Sequence, residues 1–170
     1  MNDLAVGSPA PQDRPVPSPP SPLWWLALPA VLLIFLLLAL RGLDQESITM
    51  DEGGWLYAGT VLVDSFKFDE SVTVQHPPLT FYVHGLLNKA VGWLALLPRD
   101  QDARLYWSRF AMLIFPFICI VVLFLWTREL FGPLPAALAS LLLALNPNFI
   151  GHARLVTSDV PLAALSLAAV

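Results

Sequence analysis

The stretch Leu79-Thr80-Phe81-Tyr-Val-His84-Gly-Leu86-Leu87-Asn88-Lys89-Ala-Val-Gly-Trp93-Leu-Ala-Leu-Leu97 decides how this chain is arranged. At ~1.5 Å per helical residue it is long enough to cross the ~30 Å hydrocarbon layer of a bilayer. Its centre argues against crossing. His84 and Asn88 are one helical turn apart and share a face with Thr80, and Lys89 follows directly. A charged lysine at mid-membrane costs ~2.5–3.5 kcal/mol on insertion scales. A helix lying in the interface avoids that cost and still buries Phe81, Leu86, Leu87 and Trp93. We read 79–97 as an interfacial helix.

Working outward, the composition is that of an all-α integral membrane protein: 56% hydrophobic and 13% charged, with mean hydropathy +0.66. Runs without Asp, Glu, Lys or Arg cover Leu23–Leu40, Phe110–Thr127 and Phe131–Gly151. They predict spans at about 23–41, 107–127 and 132–151. A fourth, at 160–170, stops partway, so the chain reads as the N-terminal part of a longer polypeptide or as a truncated gene product. Residues 1–22 are proline-rich, carry both signs of charge and have few large apolar side chains, which predicts a disordered tail. The run after it is followed by Arg41-Gly-Leu-Asp44, with no small-x-small cleavage pattern, and reads as a retained anchor. The single cysteine, Cys119, lies within an apolar run, so an intramolecular disulfide and a Cys-based metal site are both excluded.

If 79–97 stays in the interface, the chain crosses once before Asp51-Glu52 and twice more before Asp159. Those acids then lie on one side; if 79–97 also crosses, the membrane separates them. Orientation is a different matter. Arg14 and Arg128 fall on the tail side, and Arg41, Lys67, Lys89, Arg99, Arg104, Arg109 and Arg154 on the loop side. A positive-inside count puts the loop in the cytoplasm, while the loop's many acids, and any arginine held by phosphate, weaken that count.

Four groups carry candidate chemistry. Asp51-Glu52-Gly-Gly-Trp-Leu-Tyr57 opens a second amphipathic helix, about 51–65, with carboxylates in its first turn where they complement the helix dipole. Gln75-His76-Pro77-Pro78-Leu79 enters the interfacial helix, and His76 is a candidate anion or metal ligand. Arg104-Leu-Tyr-Trp-Ser-Arg109 stands at the mouth of the second span, where Arg109 could hold a lipid phosphate. Arg154 and Asp159 flank Leu-Val-Thr-Ser. Each also has a plain structural reading: a solvated helix start, a helix-entering turn, an interfacial belt and a loop ion pair.

Taken in order, the Asp-Glu pair with its Tyr, His-Pro-Pro-Leu, the Arg at the second span, Leu130-Phe-Gly132 and Ala144-Leu-Asn-Pro147 through Ala153-Arg-Leu-Val-Thr-Ser-Asp-Val-Pro-Leu162 resemble one family. They are similar to the N-terminal third of C-superfamily membrane glycosyltransferases, of the protein O-mannosyltransferase-like and aminoarabinose-transferase-like kind. The resemblance covers roughly 23–170. It implies about four transmembrane helices, the last truncated, plus two interfacial helices in the first extracytoplasmic loop. It also implies a multi-pass cell (inner) membrane enzyme that transfers sugar from a polyprenyl-phosphate donor to a protein, lipid or glycan acceptor hydroxyl on the extracytoplasmic face. By the same resemblance Asp51, Glu52 and Asp159 are the catalytic acids, and Tyr57, His76, Arg109 and Arg154 contact substrate. A divalent metal is possible, no other cofactor is implied, and nucleic acid is not a partner. The 170 residues alone are expected to be inactive. The alternatives are a transporter component, whose acids would sit inside broken spans rather than in loops, and a non-catalytic membrane scaffold.

Overall fold

Caps and prolines set the helix boundaries in the computed structural model, which describes residues 22–67, 76, 78–94 and 101–169. The expected tail lies outside these residues except for Pro22. All regular structure among the described residues is helical. A 3-10 turn, Pro22–Leu26, leads into α1 (Ala27–Leu40), which is apolar on every side. Helix α2 (Met50–Ser65) starts at Thr49, whose backbone N–H and hydroxyl both donate to the Glu52 carboxylate. It ends at Phe66 in the left-handed conformation, φ 55°. Helix α3 (Pro78–Trp93) opens on proline, whose missing N–H costs nothing at a first turn. Helices α4 (Gln101–Met112) and α5 (Ile114–Phe131) run on as one helix of 31 residues. Gly132, at φ 91°, turns the chain into α6 (Pro133–Ala144). Helices α7 (Pro147–Ala153) and α8 (Asp159–Ala168) complete the order.

Two helices form where the sequence predicts them: α2 and α3 match the expected 51–65 and 79–97, the latter as far as it is described. The spans differ. Among the described residues one continuous helix, Gln101–Phe131, is clearly long and apolar enough to cross a membrane, where the sequence leads to four. The expected span 132–151 is two helices bent by 63°. Its break has a local cause, because the Asn146 side chain accepts from the N–H groups of Asn148 and Phe149 and Pro147 starts a new helix. Trp24–Leu40 and Asp159–Ala168 are apolar but shorter.

Helix α5 is shared by two cores. One joins it to α2, α3 and α8 through Trp55, Leu62, Phe81, Phe115, Val156 and Val160. The other joins it to α1, α6 and α7 through Phe35, Ala39, Ile120, Ala144 and Ala153. Helix α1 is antiparallel to α5: the Arg128 guanidinium lies 3.8 Å over the Trp25 ring at one end, and Arg109 reaches the Leu43 carbonyl at the other. The loop after α1 and the segment after α7 therefore sit at the same end of the bundle.

Helices α2 and α3 cross closely at Gly59 and Gly85. A Cβ on Gly59 would lie 2.1 Å from His84 Cε1, and one on Gly85 would lie 2.6 Å from the Gly59 carbonyl oxygen. His84 is buried there, and its Nε2 has no hydrogen-bond partner among the described residues. Burial pushes its pKa down to about 4. The unfolded imidazole takes up a proton near pH 6.5 and the folded one does not until about 4, so the unfolded state binds more protons in between. Stability should fall as pH drops through that window, by about 3 kcal/mol in all. Thermal unfolding of His84→Gln in detergent should lack this sensitivity between pH 6.5 and 4; an unchanged slope would put the acid sensitivity elsewhere.

Candidate functional site

The site is built around a buried ion pair that joins four parts of the chain. Glu52 and Arg109 are both fully buried. Arg109 Nε donates to Glu52 Oε1 at 2.9 Å and Nη2 to Oε2 at 2.7 Å, the side-on bidentate arrangement. The remaining guanidinium hydrogens go to backbone carbonyls: Nη1 to Leu43 and Glu46, Nη2 to Ser47. A guanidinium has five N–H donors, and all are engaged. Glu52 also accepts from the Val156 N–H at 3.1 Å and from Thr49. The pair thus fixes the loop 43–49, the start of α2, α4 and the segment after α7. Burial alone would raise the Glu52 pKa. The Arg109 hydrogen bonds, the Thr49 and Val156 N–H groups and the guanidinium's charge more than offset that and hold it below the ordinary carboxylate range.

Arg154 strengthens the same junction. It pairs with Glu46 at 3.0 Å and donates to the Leu38 carbonyl at 2.6 Å, at the C-terminal end of α1. Gly42 makes room for it, since a Cβ there would lie 2.2 Å from Arg154 Nη1.

These contacts change how several expected site residues are seen. Arg109, expected to hold a lipid phosphate, has no N–H left for one in this arrangement. Glu52, expected among the catalytic acids, is sealed from solvent and saturated with donors. Arg154 is largely committed to Glu46 and Leu38, although its buried Nε has no partner among the described residues. Tyr57 is exposed, but six residues from Asp51 is about 240° around a helix, and it opens onto a cleft between α2, α3 and α4 instead.

Asp51, His76 and Asp159 are not tied up in this junction. Asp51 is exposed in the first turn of α2 and lies one turn before Trp55, on the same face. The His76 ring packs on Trp55 with centroids 4.5 Å apart. Trp55 in turn shares a core with Val156 and Val160, which bracket the exposed Asp159 at the start of α8. Asp51 and Asp159 are thus exposed on segments that contribute Trp55, Val156 and Val160 to one apolar cluster, and His76 packs on its Trp55. Among the described residues, no three His, Cys, Asp or Glu side chains converge as a metal site would require.

Comparison with protein-family models, with curated proteins and with solved structures yields no match. The functional reading therefore rests on the residues themselves. The sequence reading missed three contributors: Thr49, Trp55 as the platform for His76, and the Val156 N–H. Thr49 was within reach, because Thr-x-x-Glu before an apolar run is the capping-box pattern. The Val156 contact, 104 residues from Glu52, has no local signal.

Proposed function

We propose that this protein transfers a sugar from a polyprenyl-phosphate-linked donor to an acceptor hydroxyl, at the extracytoplasmic surface of the cell membrane. The observation that carries this reading is the contrast within Asp51-Glu52: one carboxylate is locked by Arg109, and its neighbour is left exposed on the helix whose Trp55 packs against His76. Apolar side chains left uncovered on α1, α5, α6 and α8, among them Leu33, Leu37, Leu125, Leu138 and Leu162, suit contact with lipid or with further helices. The contact of the Val156 N–H with Glu52 supports placing both loops on one side of the membrane.

In the reaction the acceptor oxygen attacks the anomeric carbon, and the bond from that carbon to the phosphate oxygen breaks, its electron pair leaving with the phosphate. Asp51 takes the acceptor proton as general base. His76 faces the leaving phosphate as a hydrogen-bond donor. Asp159 orients the acceptor from the opposite rim. Glu52, Arg109 and Arg154 are positioning residues that hold the two loops together without touching substrate. Tyr57 lies outside this site.

Membranes carrying the protein should move label from a polyprenyl-phosphate-linked hexose or pentose to protein, lipid or glycan acceptors, above membranes lacking it. No transfer from any such donor overturns the reading. Reporter fusions after Asp69, Arg128 and Thr157 should report one side, the other, then the first; Asp69 and Thr157 on opposite sides would separate the two loops and end the proposal.

A further inference from the structure

A second site lies on the other face of α2. Stripes of α2, α3 and α4 enclose an open cleft of about 810 Å³. Tyr57, Trp93 and Trp107 line it, and among the described residues Lys89 and Arg104 are its cations and Asp64 its one carboxylate. Lys89 is held in place at 3.1 Å from Asp64 and 3.1 Å from the Val63 carbonyl. Arg104 is exposed and has no ion-pair partner among the described residues. Gly92 lines the cleft, and a Cβ there would meet nothing within 4 Å, so a side chain at this position would occupy its open space.

We propose that this cleft seats the phosphate headgroup of an anionic membrane lipid, away from the Asp51 site. Two cations against one carboxylate select an anion, and Arg104 supplies a planar donor fork suited to phosphate. The rings select a lipid over a soluble phosphate. Trp93 is 84% exposed at the end of α3, and Tyr and Trp side chains of this kind suit the headgroup layer. The lipid's chains would extend past them into the bilayer. The inference rests on the membrane placement proposed above, with α3 lying in the interface, and not on the transfer chemistry.

The test uses the purified protein in phosphatidylcholine vesicles, with a small fraction of either dibrominated phosphatidylglycerol or dibrominated phosphatidylcholine as tryptophan quencher. Phosphatidylglycerol should associate about fivefold more, the factor expected for one cation near an anionic surface. Arg104→Gln should bring that ratio close to one. Gly92→Phe, which fills the cleft and removes no charge, should do the same. Asp64→Asn, which frees Lys89, should raise it. An undiminished preference in both Arg104→Gln and Gly92→Phe overturns the site, and so does competition by millimolar inorganic phosphate, which would mark a soluble-phosphate site. A chain that fails to float with either vesicle overturns the membrane placement and this site together. Flotation without headgroup preference overturns this site alone.

Discussion

Asp51→Asn should lower the proposed sugar transfer by a factor of ~10²–10⁴, the usual contribution of a positioned general base. The substitution keeps the size and shape of the side chain and removes only its capacity to take a proton. Asp51 is exposed and makes none of the contacts that join the loops, so the fold should survive. The stability cost should be no more than the ~0.3–1 kcal/mol of a first-turn carboxylate interacting with the helix dipole. The informative comparison is with Glu52→Gln. That variant should lose both stability and transfer, and recover some transfer on cooling. Asp51→Asn should lose transfer at every temperature. Turnover retained by Asp51→Asn would remove the base role.

Arg109→Ala should be the most destabilising single change in the described chain, costing ~3–5 kcal/mol, because it leaves the Glu52 carboxylate buried without a counter-charge. Three backbone carbonyls lose their donor in the same step. The single, buried Cys119 is a built-in reporter: a thiol-reactive dye should label it at a lower temperature in the variant. The double variant Glu52→Leu/Arg109→Leu should regain part of the stability, since a matched apolar pair carries no stranded charge, but not transfer. The pH dependence follows from the depressed Glu52 pKa. The pair's stabilisation is present above the ordinary carboxylate range and is lost as pH falls through the lower folded value. Arg109→Ala should lack that acid-labile part. If Cys119 labelling is the same in Arg109→Ala and the natural protein, the ion pair does not hold the loops.

What was legible in the sequence is what depends on local pattern. Pro77-Pro78 marked the start of α3, and first-turn acids located the start of α2. The sequence put the Thr-Ser-Asp segment with Asp51-Glu52 by counting crossings; the Val156–Glu52 contact joins the two segments, while one of the counted spans is clearly long and apolar enough among the described residues. The kink between α6 and α7 was also local, written in Asn146-Pro147 but hidden by the uninterrupted hydropathy around it. Other features were not local at all. The sequence led to Asp51 as the base and Glu52 as a partner orienting acceptor or water; that Glu52 is instead locked depends on Arg109, 57 residues away, which no local pattern reports. The assignment of Arg109 and Arg154 to phosphate failed to anticipate their contacts for the same reason. An arginine near a helix start looks alike whether it awaits a ligand or closes on distant carbonyls.

The unbroken helix from Gln101 to Phe131 has a mechanical consequence. It is pinned by Arg109 near one end and by the Trp25–Arg128 clasp near the other. Those anchors are ~28 Å apart along its axis, close to the thickness of a fluid hydrocarbon layer. Under the proposed membrane placement, short-chain lipids would make such a rod lean, and the lean would be delivered to the guanidinium that ties the loop 43–49 to the start of α2. The thermal stability of that junction should therefore track acyl-chain length, with the helix acting as a gauge of the surrounding bilayer.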